Sequence, residues 1–292
     1  MVKMGAARLA FAAVGVAATA AIAGWVGPAL AQEHEHEPVA RQKWTFSGLL
    51  GEFDNNQLQR GFRVYTEVCA RCHSLDRIYF RNLTDLDGPA FPVDGVKSLA
   101  ATHEVEDGPD DEGKMFKRPG TLNDRIPSPY KNEKEARAAH NGALPPDLSL
   151  IVRARAVESD TPFYMLPYTM VRDIFSGYQE SGADYLYAYL TGFKEPPKDF
   201  KLGEFMQFNR VFPGHQTAMP PPFAGGDGLV KYDDGTPATV DNYARDVTAF
   251  LAWAADPRLE DRKRLGLLVM IYLLVTTVLL AFAKRRVWRE VH

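Results

Sequence analysis

The chain has 292 residues, of which 46% are hydrophobic and 24% are charged, and these proportions are usual for a globular protein. Its length allows one large domain or two small ones. The formal net charge of -3 gives no reason to expect a nucleic acid as a partner.

Residues 1–31 have the pattern of a secretory signal peptide. Lys3 and Arg8 form a basic start, a run of small apolar residues follows, and Ala29-Leu30-Ala31 has the A-x-A form of a cleavage site. An uncleaved membrane helix is the alternative interpretation. We expect cleavage after Ala31, which places the mature chain in an exported compartment.

Residues 55–71 have the periodicity of an amphipathic helix. Cys69, Cys72 and His73 stand at its end, and these are the only two cysteines of the chain. The pattern C-x-x-C-H is typical of c-type haem attachment, but a cysteine pair at this spacing can also form a redox dithiol or half of a zinc site. Four apolar residues recur at the spacing of one helix face: Leu58, Phe62, Tyr65 and Val68.

The remaining sequence favours haem over the other two interpretations. No histidines near the cysteines have the paired spacing of zinc ligands. A helix rather than a strand precedes the cysteines, which disfavours a thioredoxin-like dithiol. In a haem c site the thiols of Cys69 and Cys72 bond to the two vinyl groups, and His73 follows as a neutral imidazole ligand to iron. The sequence therefore predicts one covalently bound haem c and leaves no cysteine for a structural disulfide.

Two further helices are predicted in the exported domain. The first covers residues 184–191, and the second covers residues 240–255 with Thr239 as its N-cap. Residues 84–130 and 203–237 are rich in proline and glycine and are predicted to be long irregular loops. Such loops are uncommon in compact domains unless something orders them, and a large buried cofactor would do so.

A methionine sulfur is a candidate for the second axial ligand of the iron, because a thioether closes the iron site and raises its reduction potential. Met219 precedes three consecutive prolines, which hold it on a stiff extended loop just before the last helix of the domain. We therefore predict Met219 as this ligand, and the alternative is a methionine in a proline-rich surface loop. The methionines of the exported domain are Met115, Met165, Met170, Met206 and Met219.

Residues 265–283 contain no charged side chain and are just long enough to span the hydrocarbon core as a helix. Basic clusters flank this segment on both sides, so only the signal peptide orients it, with the short tail in the cytoplasm. A buried helix of a soluble core is the alternative. The predicted boundaries are a haem domain over 32–261, a transmembrane anchor over 262–284 and a tail over 285–292.

Seven stretches that cover nearly all of the mature chain, in order, resemble the cytochrome c1 family, the haem-bearing subunit of the bacterial cytochrome bc1 complex. The segment over residues 158–182 is longer than the corresponding segment in the mitochondrial relatives of this family. The matching stretches are VCARCHS, FKRPGTLNDRIPSPY, NGALPPDLSLIVRAR, YLTGFKEPP, VFPGHQTAMPPPF, YDDGTPAT and RKRLG.

The resemblance implies a mainly α fold, with a class I cytochrome c-like domain, long irregular loops and one C-terminal transmembrane helix. It implies His73 and Met219 as the axial ligands of the haem iron. Arg118, in the R-P-G stretch, is expected at a haem propionate, where a guanidinium suits a carboxylate. Three further residues are expected to line the haem pocket: Asn141, Ala143 and Pro146.

The resemblance also implies a function, an electron-transfer subunit of quinol:cytochrome c oxidoreductase. The haem would take one electron from a Rieske iron–sulfur protein and pass it to a soluble or anchored cytochrome c, with cytochrome b and the membrane as further partners. The expected location is the bacterial inner membrane, with the haem domain in the periplasm. Two alternatives stay open: a membrane-tethered electron shuttle outside a bc1 complex, and a haem enzyme or gas sensor with an open iron site.

Overall fold

The computed structural model of the chain describes residues 39–157, 161–176 and 180–289, and the predicted signal peptide lies outside them. The described chain is mainly helical, which confirms the predicted fold class. Two short antiparallel strand pairs, β1 with β2 and β3 with β4, complete it. The strands are β1 (Glu104–Asp107), β2 (Phe116–Pro119), β3 (Gln207–Phe208) and β4 (Gln216–Thr217). The helices are α1 (Asn55–Glu67), α2 (Val93–Ala101), α3 (Glu133–Ala139), α4 (Ile151–Ala154), α5 (Leu166–Ser176), α6 (Ser181–Thr191), α7 (Val240–Ala255) and α8 (Leu259–Trp288).

Helices α1 and α7 pack against each other at the centre of the hydrophobic core. A Cβ atom at Gly61 would lie 2.1 Å from the carbonyl oxygen of Asp246, so the two backbones touch at this point. Beside it, the rings of Phe62 and Tyr65 have centroids 5.5 and 5.9 Å from that of Phe250. These aromatic side chains are buried, and their burial is the main force that holds the two helices together.

The three helices predicted in the haem domain are present. The helix predicted over 55–71 is α1, followed by a 3-10 turn at Cys69–Arg71. The helix predicted over 184–191 is α6, which begins three residues earlier, at Ser181. Helix α7 covers residues 240–255 as predicted, and the Thr239 hydroxyl accepts a hydrogen bond from the backbone N–H of Asn242 at 3.3 Å.

The prediction that residues 84–130 form one irregular loop is wrong. This stretch contains α2 and the hairpin of β1 and β2, in which Glu104 pairs with Pro119 and Asp107 with Phe116. The hairpin is exposed and charged, so it lacks the alternation of apolar residues that signals a strand. Cross-strand ion pairs help to hold it, such as that of Lys117 with Glu104 at 2.9 Å.

Helix α8 is the part of the described chain that is long and apolar enough to cross a membrane. Its first turns belong to the domain: Leu259 is buried, and a carboxylate oxygen of Glu260 accepts a hydrogen bond from the backbone N–H of Phe53 at 2.7 Å. The ammonium of Lys263 donates to the carbonyl oxygens of Phe46 and Gly51, at 2.5 and 3.2 Å. From Leu265 onwards nearly all its side chains are exposed, as in a helix that meets lipid.

Candidate haem-binding site

A largely apolar cavity of about 540 Å³ lies between the end of α1, the loop before α4, helix α6 and the proline-rich loop before α7. Cofactor pockets in proteins have volumes of this order. Cys69, Cys72, His73 and Met219 all line it. The fold therefore brings the four residues singled out from the sequence, which are up to 150 positions apart in the chain, to the walls of one cavity.

The cysteine motif forms a tight turn at the end of α1. The backbone N–H groups of Cys72 and His73 donate to the carbonyl oxygen of Cys69, at 3.1 and 2.9 Å. Cys69 is buried and Cys72 is half-buried. Because of this turn, Cys69, Cys72 and His73 all line the cavity within five positions of the chain.

Burial raises the pKa of the Cys69 thiol to about 12, and the neighbouring Cys72 adds to the effect. A redox dithiol needs the opposite shift, because the thiolate is the reactive form. Among the described residues, no three His, Cys, Asp or Glu side chains are grouped to hold a bare metal ion. Both observations weigh against the dithiol and zinc interpretations of the cysteine pair.

The imidazole of His73 is fixed by one hydrogen bond. Its Nδ1 lies 2.8 Å from the carbonyl oxygen of Pro146, and a carbonyl can only accept, so Nδ1 carries the proton. Nε2 is then the ring nitrogen that can bind a metal. Burial lowers the pKa of His73, against the opposing effect of the Pro146 carbonyl, and so favours the neutral ring that a ligand must be.

Strands β3 and β4 position Met219, which follows β4 by two residues and packs, half-buried, against the core. Its backbone N–H donates to the hydroxyl of Thr217 at 3.3 Å. The hydroxyl of Tyr189, on α6, lies 2.8 Å from the same Thr217 oxygen and 3.5 Å from the sulfur of Met219. Sequence reasoning missed Tyr189, although it stands in the YLTGFKEPP stretch.

The loop before α4 carries the three predicted pocket residues, and two of them line the cavity. Ala143 and Pro146 line the cavity, whereas Asn141 is exposed, has a positive φ of 51° and is not among the lining residues. His140 lines the cavity instead, and its Nε2 lies 2.8 Å from the hydroxyl of Tyr130. A left-handed residue turns the chain here, and the sequence did not show which neighbour would face inward.

Arg118 lies on β2 and is not among the lining residues of the cavity. Its guanidinium donates to Asp107 and to both carboxylate oxygens of Asp124, at 2.7 and 2.9 Å for the latter. Its charge is thus balanced within the hairpin and the turn that follows. Two other arginines do line the cavity, Arg71 beside the cysteine motif and Arg155 just after α4. A guanidinium at the rim of an apolar cavity suits a ligand with carboxylates.

The residues present fit a haem with c-type attachment. The walls are apolar, two thiols and a neutral imidazole with a free Nε2 stand together, and a thioether stands in the same cavity. Arg71 and Arg155 equal the two propionates of a haem in number and carry the opposite charge. Two thiols, an imidazole and a thioether in one cavity suit a haem c better than a bare metal site.

Comparison with known proteins agrees with this assignment. Cytochrome c1 of Blastochloris viridis is 46% identical over 251 residues, which are 86% of each chain, and cytochrome c1 of Rhodospirillum rubrum is 44% identical over 251 residues, 86% of this chain and 88% of the relative. A protein of Bradyrhizobium diazoefficiens named cytochrome b/c1 is 45% identical over 293 aligned positions; these cover all of this chain but only 41% of that relative. The profile of the cytochrome c1 family matches residues 44–291, and the chain belongs to the cytochrome c1 family.

Proposed function

We propose that the chain is the electron-transfer subunit of a quinol:cytochrome c oxidoreductase and carries one haem c. Cys69 and Cys72 would hold the haem through thioether bonds, and His73 Nε2 and the sulfur of Met219 would bind its iron. When bound, the haem supplies a one-electron redox centre. The observation that carries the proposal is that this complete donor set lines one cavity in a member of the cytochrome c1 family.

The chain's own residues hold and tune the centre. The Pro146 carbonyl orients the imidazole, and Pro220 to Pro222 limit the motion of the methionine loop. Apolar walls exclude water, which favours the less charged, reduced state of the iron. Arg71 and Arg155 are placed to offset the negative charge of the propionates. The subunit needs no acid, base or nucleophile, because only an electron moves through it.

We infer that the electron comes from a Rieske iron–sulfur protein and leaves to a soluble or anchored c-type cytochrome. Cytochrome b, which would oxidise the quinol, is the expected neighbour of α8. Two names support this grouping: the Bradyrhizobium relative is called cytochrome b/c1, and a Candida albicans relative, 43% identical over 262 residues, is called a cytochrome b-c1 complex catalytic subunit. The haem domain would lie in the periplasm of a bacterium and the C-terminus in the cytoplasm.

The first experiment tests covalent attachment. The full chain, produced with a haem c maturation system, is extracted with acidified acetone, and its pyridine haemochrome spectrum is recorded. We expect the colour to stay with the polypeptide, at one haem per chain, with the spectrum of two saturated vinyl groups. A Cys69→Ala, Cys72→Ala variant is the control, and complete loss of colour from the unsubstituted chain would refute the proposal.

The second experiment separates the proposal from its alternatives. Purification from native membranes in mild detergent should recover a cytochrome b and an iron–sulfur protein with this chain, whereas a tethered shuttle would elute alone. Carbon monoxide should leave the spectrum of the reduced protein unchanged, because Met219 occupies the sixth position. Rapid carbon monoxide binding would instead support an enzyme or sensor with an open iron site.

A further inference from the structure

Two parts of the haem domain carry exposed apolar side chains, and the loop of the first part is bonded to the base of α8. The first is the pair Leu49 and Leu50, whose side chains are 62% and 77% exposed. The second is Phe163–Val171, a 3-10 turn and the start of α5, where Phe163 is 84% exposed and Val171 is 56% exposed. We call Leu49, Leu50 and Phe163–Val171 together the apolar collar. Exposed apolar side chains grouped in this way mark a contact with a partner or a membrane.

Leu49 and Leu50 are tied directly to α8. The ammonium of Lys263 donates to the carbonyl oxygens of Phe46 and Gly51, which lie on either side of the leucine pair. Lys263 belongs to the basic cluster that precedes the first uncharged residues of α8. In a spanning helix such a cluster lies at the level of the lipid headgroups. The loop that carries the two leucines is therefore held at that level.

Hydrogen bonds hold the chain on both sides of the second part of the collar. Before it, Arg153 donates to a carboxylate oxygen of Asp256, which also accepts from Arg262 of α8, each at 2.5 Å. After it, Ser181 begins α6, and its hydroxyl accepts from the backbone N–H of Val157 at 2.6 Å. Five residues lie between Val157 and Phe163, so the second part of the collar begins within about 20 Å of Val157.

The collar segment has the composition of an interfacial helix. In α5, Thr169, Arg172 and Asp173 share one face, while Pro167 and Val171 are centred on the opposite face. Aromatic side chains that combine an apolar ring with a polar tip concentrate at membrane interfaces, and two exposed tyrosines stand here. The exposed apolar side chains of the segment are Phe163, Tyr164, Met165, Leu166, Tyr168, Met170 and Val171.

We propose that the apolar collar lies in the headgroup and upper acyl region of the bilayer that α8 crosses, so that the haem domain contacts the membrane surface beside its anchor. Burial of the collar in lipid removes its apolar surface from water, and the polar face of α5 stays towards the headgroups. The domain is then held at a fixed tilt on the membrane instead of swinging on a single helix. This inference rests on the proposed transmembrane anchor and is independent of haem ligation.

The test measures depth in the bilayer by spin labelling of the purified, haem-loaded full chain, without partner subunits. The chain is placed in vesicles of phosphatidylethanolamine and phosphatidylglycerol. Single variants Val171→Cys and Leu50→Cys report on the collar. Arg172→Cys, on the polar face of α5, and Met115→Cys, an exposed apolar position on the charged hairpin loop, are the matched controls. The unsubstituted chain gives the labelling background of Cys69 and Cys72.

Accessibility to oxygen, which partitions into lipid, is compared with accessibility to a water-soluble nickel chelate. We expect the ratio of oxygen accessibility to nickel-chelate accessibility to be several-fold higher at Val171 and Leu50 than at Arg172 and Met115. Equal ratios at the collar and at Met115 would place the collar in water and overturn the proposal. Shielding of the collar labels from both reagents would also overturn it, because the chain's own domain or a second copy, rather than lipid, would then cover the surface.

A label at Val275→Cys, in the middle of α8, separates this inference from the anchor on which it rests. High oxygen accessibility at Val275 with a water-exposed collar would refute only the collar contact. Low oxygen accessibility at both sites would refute the transmembrane anchor as well. Each labelled variant must keep the visible spectrum of the unsubstituted chain, so that a folding defect is not read as a change of depth.

Discussion

At the scale of single residues, the site depends on two side chains whose positions are fixed in different ways. His73 is fixed by its neighbours in sequence and by one hydrogen bond to Pro146. Met219 is fixed by tertiary structure, through the strand pair β3 and β4 and the prolines that follow it. We therefore expect Met219 to be the ligand that a substitution can remove without loss of covalent attachment.

Met219→Leu tests this expectation. Leucine keeps the apolar volume but offers no lone pair, so the iron loses its sixth ligand. The midpoint potential should fall by on the order of 0.1 V, within the ~0.8 V range that axial ligands cover, and the reduced protein should then bind carbon monoxide. Redox titration and carbon monoxide difference spectra measure both effects. Met206→Leu, at an exposed position, is the control, and an unchanged potential in Met219→Leu would rule out ligation.

Tyr189→Phe addresses the hydroxyl that lies 3.5 Å from the sulfur of Met219. A hydrogen bond to the sulfur weakens it as a donor to oxidised iron, so removal of the hydroxyl should lower the midpoint potential. A hydrogen bond of about 1 kcal/mol corresponds to about 40 mV, which is the upper limit of the expected fall. Burial raises the pKa of Tyr189, so the hydroxyl stays protonated and the effect should not vary between about pH 6 and about pH 8.

Tyr185→Phe is the matched control for Tyr189→Phe. Tyr185 also lines the cavity, and its ring is stacked on that of Tyr189 with centroids 6.3 Å apart. Its substitution should leave the midpoint potential unchanged. If both variants shift the potential equally, the effect would come from general polarity of the cavity wall and not from a bond to the sulfur.

The sequence can predict the arrangement of site residues where it is set by neighbouring positions, and it cannot do so where the arrangement depends on the fold. Cys69, Cys72 and His73 are adjacent, so one turn of chain decides their arrangement. Arg118 was placed at a propionate by resemblance, but in the structure its charge is balanced by two carboxylates that strand pairing and the next turn bring to it. The propionate contact of Arg118 stays a prediction, whereas Arg155 lines the cavity.

At the scale of elements, the long periodic helices could be predicted from the sequence, but the short charged strands could not. Helices α1 and α7 have an apolar face that must be buried, which leaves a clear pattern in the sequence. The hairpin of β1 and β2 is held by ion pairs and backbone bonds that leave no such pattern. Helix α5 also went unpredicted, because its apolar residues cover a wide arc and it makes little contact with the domain.

The contact of α1 with α7 gives the element-scale prediction. Gly61→Ala would place a methyl group 2.1 Å from the carbonyl oxygen of Asp246 and 2.7 Å from Cβ of Phe250, so the helices must separate. We expect a loss of about 2–3 kcal/mol in the free energy of unfolding. For a domain of this size that lowers the melting temperature by about 5–10 °C.

Gly95→Ala is the matched control, because Gly95 lies within α2 and a Cβ there would meet no atom within 4 Å. This substitution should raise stability by about 0.5–1 kcal/mol, since alanine loses less backbone entropy in a helix. Thermal unfolding followed by circular dichroism measures both variants. A Gly61→Ala protein as stable as the unsubstituted chain would show that the two helices are not packed as closely as described.

At the scale of the whole molecule, the haem domain and the anchor are one continuous structure across their predicted boundary at residue 261. The first turns of α8 contribute the buried Leu259, the Glu260 bond to Phe53, and the Arg262 and Lys263 bonds to the domain. Glu260 and Lys263 bond to backbone groups, and Arg262 bonds to the carboxylate of Asp256. Hydrogen bonds of charged groups are stronger than neutral ones. A soluble form of the domain should therefore keep these residues.

Two truncated chains test this continuity. A chain that ends at Arg264 keeps every contact of the first turns, whereas one that ends at Arg258 loses Leu259, Glu260 and Lys263 together. We expect both to be released into the periplasm as soluble haem proteins, with the shorter one less stable by about 3 kcal/mol or more, from one buried leucine and the lost charged hydrogen bonds. Denaturant unfolding, followed by haem absorbance, measures the difference. Equal midpoints would mean that α8 is only a tether and that the domain ends before it.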